Sequence, residues 1–168
     1  MTRQVTLDSG GVGRLNNGWR RWSRSDANFT AGPKAMIPMK ISRDFKEFIE
    51  CATSHDVRFL IVGGYAVAYH GHPRYTKDLD VWIERSPENA KRLVAALVDF
   101  GFGSVGLSEA DFLEQDQVIQ LGKPPMRIDL LTGVSGIDFD KCYPNRHLVD
   151  LEGVTLPFIS LVLTSGSA

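Results

Sequence analysis

A chain of 168 residues, 43% hydrophobic and 23% charged, has room for one hydrophobic core and the composition of an ordinary globular protein, which excludes the disordered and fibrous classes. Its formal net charge of -1 excludes the global basic field that marks a dedicated nucleic-acid binder. Cys51 and Cys142 give neither a disulfide framework nor zinc spacing, and no apolar run is long enough for a secretory signal or a membrane span, so the expected setting is cytoplasmic, with no membrane partner.

Charge is unevenly spread: residues 1–38 hold six Lys/Arg against two Asp/Glu, and the remainder thirteen against eighteen. Residues 1–38 are rich in Gly, Asn, Arg and Ser, lack periodicity, and read as a disordered leader. Gly10, Gly11 and Gly13 follow no apolar strand and precede no helical pattern, which argues against a phosphate loop. Trp19 and Trp22 with Arg20, Arg21 and Arg24 are residue types that contact RNA, yet in this stretch they read as tail. Met36 and Met39, just before the first periodic segment, are candidate translation starts.

From Ser42, the apolar positions Phe45, Phe48, Ile49 and Ala52 predict an amphipathic helix to about Ser54. Val57 to Val62 predicts a buried strand ending at Gly63-Gly64, and Tyr65 to Tyr69 a short helix broken by Gly71 and Pro73. Asp78 to Glu84 alternates as a strand, and Ser86-Pro87-Glu88 then opens a helix carrying Ala90, Leu93, Val94 and Leu97 and stopping near Gly101. Val118 to Leu121 and Arg127 to Leu131 read as strands around Gly122-Lys123-Pro124-Pro125. His147 to Leu151 and Val154 to Ile159 read as a hairpin turning at Glu152-Gly153. The expected architecture is α/β or α+β, a mixed sheet flanked by helices, with one domain over 39–160 and an irregular tail over 161–168.

Asp78 and Asp80 stand one residue apart in a predicted strand, so both carboxylates face one side about 6 to 7 Å apart, while Leu79 and Val81 turn to the core. Hard cations such as magnesium take oxygen ligands, commonly one or two carboxylates plus substrate phosphates. The bland alternative is a solvated face. Asp129 supplies a third carboxylate within the apolar run Ile128 to Leu131, where an isolated acid needs a metal or a salt bridge, Arg127 and Arg58 being the partners at hand. Gly63 and Gly64, between strand and helix, would let backbone N–H groups approach a triphosphate, though a tight turn alone also explains them. His70 and His72 form a His-x-His in a Gly/Pro turn without a third ligand at metal spacing.

Ile61-Val62-Gly63-Gly64-Tyr65-Ala66, followed by Thr76-Lys77-Asp78-Leu79-Asp80-Val81, resembles the minimal nucleotidyltransferases of the DNA polymerase beta superfamily, most of all the bacterial abortive-infection and toxin-antitoxin type. The resemblance spans roughly residues 39 to 160 and implies a nucleotidyltransferase fold. It further implies that Gly63 and Gly64 hold the triphosphate, that Asp78 and Asp80 bind two Mg2+ ions, and that Asp129 completes one metal site and helps activate the acceptor hydroxyl. Arg74 and Lys77, just before the Asp strand, either neutralise nucleotide phosphate charge or are solvated surface charges. Three features depart from the pattern, the leader over residues 1–38 being one. Many relatives have Ser after the first Gly, where Gly64 and then Tyr65 stand here. Many also continue into a basic C-terminal helix, so this chain is expected to be truncated after Ile159.

The expected function is Mg2+-dependent transfer of a nucleoside monophosphate from a nucleoside triphosphate to a hydroxyl of tRNA, protein or a small molecule. A toxin or antitoxin counterpart is the expected protein partner. The alternatives are an inactive nucleotide- or partner-binding module of the same fold, and a structural protein whose acids are only salt-bridged or solvated.

Overall fold

A computed structural model describes residues 2–5, 40–71, 76–123 and 126–160. Helix α1 (Arg43–Ser54) begins where Ser42, itself extended, accepts a hydrogen bond from the Phe45 N–H at 3.2 Å, which satisfies one of the donors left over in the first turn. Its buried face is Phe45, Phe48, Ile49, Cys51 and Ala52, the period read in the sequence with Cys51 added. Strand β2 (Phe59–Val62) is buried throughout and runs directly into α2 (Gly63–Tyr69), which starts two residues earlier than expected because Gly63, at φ +69°, makes the turn by itself.

Strand β3 (Asp78–Ile83) is followed by α3 (Pro87–Leu97), capped by Ser86 with Pro87 in the first turn. The chain leaves α3 through a π turn over Val98–Phe102, where Gly101 adopts φ +106°, close to the expected stop. Strands β4 (Val118–Lys123) and β5 (Met126–Leu131) then pair antiparallel. A four-residue helix, α4 (Phe139–Cys142), precedes the hairpin of β6 (His147–Leu151) and β7 (Val154–Phe158). Glu152 and Gly153 both take positive φ in its turn, as a two-residue hairpin connection requires.

One expectation is corrected. Within the stretch read as leader, Thr2–Val5 form an edge strand, β1, parallel to β4, with Arg3 ion-paired to Asp111. The cue was the pair of β-branched residues Thr2 and Val5, too short a run to show a period against the glycine-rich residues after it. The rest of 1–38, including Trp19 and Trp22, and the tail 161–168 lie outside the described residues.

All strands join one mixed sheet in the order β1-β4-β5-β3-β2-β7-β6. Strands β3 and β5 are parallel neighbours at its centre, and β2 lies antiparallel on the other side of β3. Alternation along β3 sends Leu79, Val81 and Ile83, all fully buried, to one face and Asp78, Asp80 and Trp82 to the other. The first face carries α1, α2 and α3. Tyr69 of α2 stacks on Phe158 at 4.7 Å, beside Ile61 in the sheet, and Phe45 of α1 packs edge-on against Tyr65 at 6.0 Å. The second face is closed by α4, whose Phe139 meets Trp82 edge-on at 5.2 Å. Phe102, Phe112 and Phe158 are buried, Phe100 packs against that core, and both cysteines are buried. Among the described residues no helix is long and apolar enough to cross a membrane.

Candidate active site

The face of the sheet that carries Trp82 changes character along its length. In the parallel β3/β5 register Trp82 lies opposite Leu131, Asp80 opposite Asp129, and Asp78 opposite Arg127. Three neighbouring rungs therefore run from apolar, through a facing pair of carboxylates, to an ion pair. The three acids singled out in the sequence meet here because strands one hydrogen-bonded step apart, about 4.8 Å, place opposite side chains on the same face.

Arg127 ties this edge together. Its Nε donates to Asp129 Oδ1 at 2.8 Å, and its Nη2 donates both to Asp129 Oδ2 at 3.2 Å and to Asp78 Oδ2 at 3.0 Å. Asp129 is thus held by a fork that engages both oxygens, the geometry a planar guanidinium makes and an ammonium cannot. Of the two salt-bridge partners considered for Asp129, Arg127 takes it, while Arg58 pairs with Glu84 at the opposite end of the β2/β3 pair. Burial pushes the Asp129 carboxyl above the ordinary carboxylate range, and the Arg127 hydrogen bond pulls against that rise.

Asp80 has less help. Burial, and then the charges of Asp129 and Asp78, push its carboxyl up to about 6, against the opposing pull of a hydrogen bond from the Gly64 backbone and of Arg127. Three carboxylates that share one guanidinium are a standing electrostatic cost that structural acids normally avoid.

The glycines have a steric reason. A Cβ on Gly63 would sit 2.0 Å from Asp80 Oδ2, and one on Gly64 2.7 Å from Thr76 Oγ1, so any side chain there would displace the carboxylate or the threonine. Their close approach is therefore to Asp80 and Thr76, and the Gly64 N–H is already directed at Asp80. Thr76, which the sequence reading passed over, donates to the Asp78 carbonyl at 3.2 Å and braces the entry to β3. Lys77 is exposed at that entry, and Arg74 and His72 lie outside the described residues. His70 turns away from the edge, its Nε2 bonded to the Ile159 carbonyl at 2.7 Å.

The donor chemistry of the edge, carboxylate oxygens only, suits a hard divalent cation, and the uncompensated charge around Asp80 invites one. Among the described residues no three His, Cys, Asp or Glu side chains converge as a metal cluster, and the guanidinium of Arg127 lies between Asp78 and Asp129. Two clefts, of about 280 and 310 Å³, lie elsewhere. One is lined by Ile49, Thr53 and Thr155, the other by Phe59, Tyr143 and Leu148, and neither includes a carboxylate of this edge.

No protein-family model matches the chain, and no curated protein matches it. A solved structure from Thermotoga maritima, described as a "putative nucleotidyltransferase", is similar over 70% of this chain and 75% of its own, at 13% identity and a TM-score of 0.48. A likeness at that level carries none of the functional argument, which rests on the residues above.

Proposed function

We propose that the chain is a magnesium-dependent nucleotidyltransferase, moving a nucleoside monophosphate from a nucleoside triphosphate to an acceptor hydroxyl. The observation that carries this reading is the placement of Asp80 opposite Asp129 on paired strands, with Asp78 on the next rung and Gly63 cleared of any side chain against Asp80. Asp78, Asp80 and Asp129 would hold a pair of Mg2+ ions, which when bound supply charge stabilisation at the attacking and leaving oxygens of an in-line displacement.

The protein's own groups would do the rest. Gly63 and Gly64 let Asp80 and Thr76 lie directly against the strand-to-helix turn, which seats the carboxylate edge where phosphates would bind, and Lys77 places cationic charge at its entry; a phosphate role for Arg74 rests on the sequence alone. A bond forms between the acceptor oxygen and the α-phosphorus as the bond from that phosphorus to the bridging oxygen breaks. Pyrophosphate departs with that electron pair, and the hydroxyl proton passes to Asp129. The rigid β3/β5 pair holds acceptor and phosphate in line. An acceptor on tRNA or protein, a cytoplasmic setting and a partner of the toxin-antitoxin or phage-defence kind belong to the same reading and rest on the sequence resemblance alone.

A second reading is favoured by one observation: Arg127 already occupies both oxygens of Asp129, as it would in a module that binds nucleotide or partner without transfer. Pyrophosphate release from each labelled nucleoside triphosphate, with Mg2+ and with bulk tRNA or protein extract as acceptor, separates the two. Release that disappears in Asp80→Asn supports transfer and names the acceptor class. Magnesium-dependent nucleotide binding by a folded chain with no release supports the binding module.

A further inference from the structure

Resting on that reading of the carboxylate edge, we infer that Arg127 is an internal competitor of the divalent cation, a positioning residue that holds Asp78 and Asp129 until the metal takes their oxygens. Arg127 Nη2 lies 3.0 Å from Asp78 Oδ2 and 3.2 Å from Asp129 Oδ2, while Nε lies 2.8 Å from Asp129 Oδ1. A metal bridging these strands would need the same oxygens at about 2.0 to 2.1 Å, and would bring two positive charges beside a third. The guanidinium and the ion cannot both keep their preferred geometry.

Register makes the competition specific. Arg127 is the cross-strand partner of Asp78 and stands two residues before Asp129 on the same face, so its side chain reaches both acids without leaving the strand. Asp80, the remaining acid, lies opposite Asp129 on the adjacent strand and, among the described residues, is joined to Arg127 by no ion pair, so the negative charge beside it is the least compensated of the three. The entering cation would therefore meet Asp80 first and displace Arg127 from Asp78 and Asp129 second. Released, the guanidinium, whose side chain is 25% exposed in its ion-paired position, would be suited to a bidentate contact with a phosphate. Arg127 thereby keeps like charges from splaying the site before nucleotide arrives.

The test uses Mn2+ as the probe, counted by electron paramagnetic resonance of the free ion, on the full chain and on Arg127→Met, Arg127→Lys and Asp80→Asn. Competition predicts that Arg127→Met binds Mn2+ about tenfold more tightly than the parent. It also predicts that this variant melts lower than the parent in EDTA and recovers on adding Mg2+. Arg127→Lys keeps the charge without the fork, falls between the two, and serves alone if the methionine variant does not fold. A residue that merely braces the strands would do the opposite: unchanged or weaker Mn2+ binding in a folded Arg127 variant overturns the inference. If the parent binds no Mn2+, or binds it as Asp80→Asn does, the carboxylate edge is not a metal site and the inference falls with that premise, by a result distinct from the one that overturns competition.

Discussion

The two ends of the β2/β3 pair treat buried polar groups in opposite ways. At one end Asn89, 1% exposed, spends its whole side chain on the backbone: Oδ1 accepts from the Arg58 N–H at 2.7 Å, and Nδ2 donates to the carbonyls of Arg58 and Glu84 at 3.0 and 2.9 Å. Nothing is left over, and the amide acts as a clamp between α3 and two strands. At the other end, among the described residues, Asp80 faces Asp129 with a backbone N–H and a shared guanidinium set against three carboxylates. A polar group that closes its own account is structural; one that leaves a charge unanswered is set up for a ligand.

The contrast can be broken most sharply at Asp80. Asp80→Asn should lower transfer by about a thousandfold, read as pyrophosphate release, while the circular dichroism spectrum stays native. Gly63→Ala should follow, with transfer down about a hundredfold and stability down about 2 kcal/mol in urea titration. It strains a φ of +69° and drives a methyl into Asp80. Asn89→Ala should do the reverse of Asp80→Asn: about 2 kcal/mol lost in the same titration, because the buried Arg58 N–H is orphaned while the carbonyls of Arg58 and Glu84 keep the Glu84 and Ser86 N–H groups, with turnover per folded molecule unchanged.

The smallest effect is a pH dependence. Asp80 is held at about 6 in the fold against an ordinary value of 3.8, so the folded chain binds the extra proton and the unfolded chain releases it across that interval. Stability from this group is fully present below about 3.8 and is lost as pH rises through about 6. In EDTA the melting temperature should therefore fall across that window for the parent, and the part of the fall due to this group should be missing in Asp80→Asn.

Much of this was legible before any coordinates. The spacing of Phe45, Phe48, Ile49 and Ala52 marked α1, Ser86-Pro87 marked α3, and strict alternation placed Asp78 and Asp80 on one face of β3. What could not be read was register. That Asp80 faces Asp129, and that Arg127 therefore reaches Asp78, depends on pairing two strands separated by some fifty residues, and nothing local encodes it. Asn89 was missed for a related reason, since a polar residue in the first turn of a helix reads as solvated until the β2/β3 end packs against it. Strand β1 and α4 are each four residues long, too short for a period to emerge. Gly63 and Gly64 were picked out for their approach to a phosphate, whereas their steric reason lies in Asp80 and Thr76.

The β3/β5 register also acts as a proofreading device. Slipping β5 by one residue against β3 would set Asp80 against Ile128 or Leu130 and, side chains having a period of two, would turn Leu130 toward solvent and Asp129 toward the helical layer. The pairing that gathers the acids is thus the same one that seals the core, and no misregistered chain can display the site. Any ligand of these carboxylates would accordingly recognise only correctly folded molecules and, by mass action, draw the population toward them.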